Sequence, residues 1–165
     1  MVRGYMLSIL VKNNSGVLMR VCSLFSRRGF NINSLSVGET SDPDTSRITV
    51  EVDGDEYVLD QIKKQLSKLI EVIKIKELNM KSAILRELIL VKIKADRKTR
   101  AEFIEICNVF GTKIVDLQPD SLTIELSGRP EKNSAFLELI DPKDIIEMVR
   151  TGVSGITRGT GNINE

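Results

Sequence analysis

Two rhythms of apolar and polar positions run along this chain, and they set its elements. Leu7 to Lys12 is a nearly unbroken apolar run and reads as a strand. Leu18, Val21, Cys22 and Phe25 follow at i, i+3, i+4 and i+7, one face of a helix over 17–28 that Gly29 stops. Residues 31–37 read as a second strand. Its apolar positions, Ile32, Leu35 and Val37, contain one odd step, which predicts a bulge near Asn33 and Ser34. Glu39 to Ser46, with Asp42-Pro43, is a polar hairpin loop. Ile48, Val50 and Val52 alternate with Arg47, Thr49 and Glu51, the mark of a half-buried third strand. Asp53-Gly54-Asp55 turns the chain, Leu59, Ile62, Leu66 and Leu69 mark a second helix, and 72–78 is a fourth strand. The order βαββαβ predicts a four-stranded antiparallel sheet with both helices on one face, the ferredoxin-like arrangement.

The order then repeats. Residues 79–82 form a short polar break, read as a linker between one domain at 1–78 and another at 83–165. Leu88 to Ala95 is a strand, and Phe103, Ile106, Cys107 and Phe110 are a helix face ended by Gly111. Strands at 113–117 and 122–126 flank the Gln118-Pro119-Asp120 turn. A helix over 130–140 starts on a proline, and Asp141-Pro142 breaks it. Ile145 to Arg150 fits helix or strand; its position favours the closing strand. Val21-Cys22-Ser23-Leu24-Phe25 in the first half matches Ile106-Cys107-Asn108-Val109-Phe110 in the second. The fold class is therefore α+β, two ferredoxin-like βαββαβ domains.

The halves differ at one junction. The first has Asn13-Asn14-Ser15-Gly16 before its helix; the second has Ala95-Asp96-Arg97-Lys98-Thr99-Arg100, with no glycine and several bulky charges. At the first junction Asn13 or Asn14 can bond locally, Ser15 can cap, and Gly16 tolerates a conformation or close approach that a Cβ would block. The free N–H groups of the helix start favour an anion, a carboxylate included. Residue chemistry alone leaves two readings open: a well-capped strand-to-helix turn, or a ligand site confined to the first half. Neither G-x-G-x-x-G nor G-x-x-x-x-G-K-[ST] occurs, so phosphate-loop chemistry is unsupported.

Composition narrows the function. The 165 residues carry 24 Lys and Arg against 23 Asp and Glu, a net charge of +1, so nothing steers the chain to nucleic acid or an anionic membrane. Aromatics make 4% and Trp is absent, which argues against a base-stacking platform. Histidine is absent, which removes the commonest general base and metal ligand together. Cys22 and Cys107 lie far apart on apolar helix faces and read as two buried thiols. Asp53 with Asp55, and Glu102 with Glu105, read as solvated surface. Met1-Val2-Arg3-Gly4 leads into a strand without a signal peptide or a long apolar span, so a cytoplasmic protein is expected.

The motifs Asn13-Asn14-Ser15-Gly16-Val17-Leu18, Leu24-Phe25-Ser26-Arg27-Arg28-Gly29-Phe30-Asn31-Ile32 and Ser34-Leu35-Ser36-Val37 resemble an ACT domain. With Ser46-Arg47-Ile48-Thr49, Arg86-Glu87-Leu88 and the tail Arg150-Thr151-Gly152-Val153-Ser154-Gly155-Ile156-Thr157-Arg158-Gly159, they resemble the small regulatory subunits of acetolactate synthase over nearly the whole chain. The resemblance implies a non-catalytic subunit. It implies a partner, a large catalytic subunit that holds thiamine diphosphate, magnesium and FAD, with no cofactor in this chain. It further implies activation of that partner, feedback inhibition by valine, and pairing of two ACT domains side by side. The implied effector site lies where strand, turn and helix start of one chain meet the other chain, at Asn13, Gly16, Val17, Leu18, Asn31 and Ile32. There the helix N–H groups would take the carboxylate of valine, amide oxygens of Asn13 or Asn31 its ammonium, and Val17, Leu18 and Ile32 its isopropyl group. The glycine-rich tail over 152–162 reads either as a flexible end or as a contact with the large subunit.

Other classes fit less well. An RNA-binding βαββαβ module would show sheet-face aromatics and basic charge, whereas Phe30, Phe103, Phe110 and Phe136 fall at helix or strand-edge positions. A self-sufficient enzyme would need an acid–base pair or cofactor fingerprint. The nearest alternative is an ACT-domain amino acid sensor acting on another enzyme or a transcription factor.

Overall fold

Strand β1 (Arg3–Lys12) is the spine of the first unit: it pairs antiparallel with β3 (Thr45–Gly54) on one side and β4 (Val72–Leu78) on the other. A computed structural model describes residues 3–163. The ends of the domains read from sequence, at positions 1, 2, 164 and 165, lie outside the described residues. Strand β2 (Ile32–Glu39) pairs with β3, giving the order β2-β3-β1-β4. The predicted bulge is there. Register shifts between Ile32 and Ser34, so Ile32 faces Val52 while Ser34 faces Glu51. The extra residue absorbs the odd step and keeps Ile32 and Leu35 on the same apolar face.

Helices α1 (Val17–Arg27) and α2 (Glu56–Leu66) cover that face. Val17, Val21 and Phe25, spaced i, i+4, i+8, meet Leu59, Ile62 and Leu66 in one cluster with Leu7, Ile9, Val11, Ile48, Val50 and Val52. Asp55 caps α2, its carboxylate accepting from the Val58 N–H at 2.8 Å.

The other face of this sheet departs from expectation. Met6, Ser8, Leu10 and Thr49 point away from the helices, yet all are buried. Met6 and Ser8 are covered from the far end of the chain. The compact units are residues up to Leu85 together with those from Val153 onward, and residues 86–152. The first unit therefore differs from the 1–78 span read from sequence by holding residues 79–85, the expected linker 79–82 included, and by taking back the tail, so the second is 86–152 and not 83–165. Met6, Leu78, Ala83, Leu85 and Val153 form a second apolar cluster. Ser34 Oγ accepts from the Val153 N–H at 2.7 Å, and Ser36 Oγ donates to the Val153 carbonyl at 2.9 Å. Strand β5 (Ile84–Lys94) is paired by the short β9 (Ser154–Ile156). A Cβ on Gly155 would sit 2.6 Å from Leu85 Cδ2 and 2.8 Å from Leu78 Cδ1. Because both leucines are buried and have nowhere to swing, Gly155→Ala is expected to cost about 1–3 kcal/mol in urea unfolding.

The second unit repeats the plan. Strands β6 (Lys113–Leu117), β7 (Ser121–Gly128), β5 and β8 (Ile145–Arg150) lie in the order β6-β7-β5-β8. Helices α3 (Arg100–Phe110) and α4 (Pro130–Leu137) pack with Ile89, Val91, Ile93, Leu122, Ile124 and Leu126. Phe110 and Phe136 meet edge to face at 5.3 Å. Ile145 to Arg150 is the closing strand, paired with β5. Two ferredoxin-like units are thus the fold.

Candidate functional site

The turn between β1 and α1 is built around Gly16. Its φ of +82° is a left-handed conformation that glycine adopts without penalty. A Cβ there would meet nothing within 4 Å, so the space in front of it is open. The Asn14 carbonyl accepts from the Val17 N–H, and the Gly16 carbonyl accepts from the Arg20 N–H at 3.1 Å, the first bond of the helix. No side chain caps α1. Ser15, expected to cap, does not, because Gly16 itself holds the capping position and leaves the Ser15 hydroxyl one place out. The N–H groups of Leu18 and Met19 thus open the positive end of the helix without a capping oxygen.

The six residues singled out from sequence fall into two sets. Asn13, Gly16, Val17 and Leu18 lie where β1 ends, beside Thr45 of β3. Asn31 and Ile32 lie at the start of β2, where Ile32 faces Val52. Thr45 and Val52 are seven residues apart on one strand, about 23 Å at 3.3 Å per residue. One chain therefore does not bring the two sets together. Asn13 is committed to structure. Its Nδ2 donates to the Pro43 carbonyl at 2.9 Å and its Oδ1 accepts from Ser46 Oγ at 3.0 Å, tying the β2–β3 hairpin to the turn. Val17 is only 5% exposed and sits in the core, so it walls no open pocket; its i, i+4 spacing to Val21 is a core stripe. Leu18, the next position round the helix, is 38% exposed and faces out. Asn31 is exposed, its Nδ2 donating to Asn33 Oδ1 at 2.7 Å, and Ile32 is half-buried against the core. The parts missed from sequence are Pro43 and Ser46, thirty or more positions from the asparagine they hold.

The second unit shows what a filled turn looks like. Asp96 Oδ1 accepts from the N–H groups of Lys98 at 2.8 Å and Thr99 at 3.0 Å, just before α3. Those bonds hold its carboxyl below the usual carboxylate range. The corresponding turn in the first unit presents backbone donors and no carboxylate of its own.

The remaining chemistry is sparse. Among the described residues no three Cys, Asp or Glu side chains converge to hold a metal ion, and no helix is long and apolar enough to cross a membrane. Cys107 is buried as expected, but Cys22 is only half-buried. It lies one position round α1 from the Val17-Val21-Phe25 stripe and so reaches the edge of the core.

The geometry defines an ACT-type fold, a glycine-led helix start on a β2-β3-β1-β4 sheet, followed by a second copy of the same plan. Sequence comparison agrees with this and goes further. Residues 7–74 match the family described as the AHAS small subunit-like ACT domain, and residues 86–159 match the small subunit of acetolactate synthase. The chain is 50% identical to the acetolactate synthase small subunit of Mycolicibacterium smegmatis, covering 95% of this chain and 92% of that protein. It is 46% identical to the acetolactate synthase isozyme 3 small subunit of Salmonella typhimurium, covering 93% and 94%. The crystal structure of the small subunit from Thermotoga maritima superposes with a TM-score of 0.89 at 36% identity, covering 96% of this chain and 99% of that one. This chain belongs to the family of acetolactate synthase small subunits.

Proposed function

We propose that this chain is the regulatory subunit of an acetolactate synthase, binding valine at the seam between two copies of its first unit. In this reading it acts in the cytoplasm. It carries no cofactor, and it activates a catalytic large subunit holding thiamine diphosphate, magnesium and FAD, making that subunit sensitive to valine. The observation that carries the reading is the start of α1. The helix opens without a side-chain cap behind a left-handed glycine; α3 has no side-chain cap either, but Asp96 accepts from the N–H groups of the turn ahead of it. A free carboxylate completes the first turn as Asp96 completes the second.

The exposed edge of the sheet supports the two-chain placement. Strand β2 ends the order, and among the described residues no further strand pairs with its outer edge. Two such edges related by a twofold axis pair antiparallel. That pairing carries Asn31 and Ile32 of one chain to the Asn13, Gly16 and Leu18 end of the other, closing the distance that separates them within a chain. Leu18 and Ile32 then offer apolar wall to the isopropyl group, and Asn31 an amide oxygen to the ammonium. Ligand at the seam favours one dimer geometry over another, and that difference in affinity is what reaches the large subunit.

The test is calorimetry of the full chain against valine, leucine and isoleucine, with the large subunit assayed beside it. Valine is expected to bind a dimer, and the chain is expected to raise the turnover of the large subunit in a manner that valine reverses. No heat with any of the three amino acids would remove the site, and wild-type turnover of the large subunit alone would remove the regulatory role.

A further inference from the structure

A second pocket lies on the face of the first sheet that the helices do not cover. Strand register sets its floor: Ser8 of β1 faces Lys76 of β4, and Leu10 faces Arg47 of β3, so Ser8, Lys76 and Arg47 share one face. The returning tail is its roof. Thr157 Oγ1 donates to the Gly161 carbonyl at 2.6 Å, and Lys76 Nζ donates to the Asn162 carbonyl at 2.6 Å, which holds residues 157–162 over the sheet. The volume of this open pocket is about 240 Å³.

Two of its polar groups lack partners. Ser8 is 1% exposed and its hydroxyl has no partner; the Arg47 Nε–H is buried and has none either. Native folds rarely leave such donors unanswered. The lining includes two cations and, among the described residues, no carboxylate. Leu78, Ile156 and Ile163 supply apolar wall.

We propose that this pocket binds a small aliphatic carboxylate. The anion is held by Arg47, Lys76 and the Ser8 hydroxyl, and its short hydrocarbon part rests on the three apolar side chains. The pocket is smaller than the ~300–1,000 Å³ of drug-sized sites, so it takes a molecule of few heavy atoms. An amino acid is a poor fit. Its ammonium would enter beside Arg47 and Lys76 with no carboxylate to meet it. The site is thus distinct from the turn before α1 in both place and chemistry.

The test is a titration of the full chain with isobutyrate, followed by two-dimensional NMR. Saturating shifts are expected at the amides of Thr157, Gly159 and Gly161 and at the Arg47 Nε–H, with valine at the same concentration leaving them unmoved. Ser8→Ala is expected to weaken binding about tenfold. It should leave the melting temperature unchanged or higher, since the hydroxyl has no protein partner. Arg47→Gln should weaken binding by at least about tenfold, and Lys76→Gln serves if that variant fails to fold. Absence of saturation, or wild-type affinity in Ser8→Ala and a folded cation variant, overturns the site. Inorganic phosphate binding there as tightly as isobutyrate overturns the aliphatic assignment, because the apolar wall would then contribute nothing.

Discussion

Gly16→Asp is expected to weaken valine binding by at least about a hundredfold while the protein stays folded. The new carboxylate would sit at the open end of α1, where the ligand carboxylate is proposed to bind, and like charges so placed cost several kcal/mol. Folding survives because a side chain at Gly16 meets nothing within 4 Å. Its φ of +82° adds a strain of about 1–2 kcal/mol for a non-glycine residue, and aspartate is among the residues that tolerate it best. Gly16→Ala separates the two effects. It carries the strain without the charge, so calorimetry should show a loss of less than about tenfold. Equal losses in both variants would mean that backbone geometry, not an anion site, makes the glycine necessary.

Phe25→Ala is expected to cost about 3–5 kcal/mol, the range for truncating a buried aromatic. Phe25 is 1% exposed and stands among the largest fully buried side chains of the first unit. It ends the Val17-Val21-Phe25 stripe, so removing it opens a cavity under the helix whose start forms the proposed site. Urea unfolding checks the loss, which should appear as a lower midpoint with little change in slope. A loss below about 1 kcal/mol would mean that the neighbouring Leu59, Ile62 and Leu66 collapse into the space.

Much of this architecture was legible in the residues. The step from Ile32 to Leu35 marked the bulge, and Val72 to Leu78 marked β4 to the residue. The repeat of Val21–Phe25 at Ile106–Phe110 marked a doubled plan. The cover on the second face of the first sheet was harder to see, though a signal existed. An apolar run with Met6 and Leu10 on the off-beat positions points to a strand buried on both faces. What buries it, Val153 and its neighbours, is scattered among glycines and has no period to read. At the site, the glycine was readable because only a special backbone angle requires it there. Val17 is buried because it is the first of three residues, Val17, Val21 and Phe25, that recur every fourth position and pack in the core. That Pro43 and Ser46 hold Asn13 is not legible locally, because both lie thirty or more positions away.

The return of the tail governs how this protein can be cut. A fragment ending at Leu78, where the βαββαβ order closes, would keep every strand of the first sheet and still lose Leu85 and Val153 from its underside. Met6 and Leu78, which face each other across β1 and β4, would then meet water as an apolar patch. Such a piece is expected to clump at concentrations where the intact protein stays dispersed.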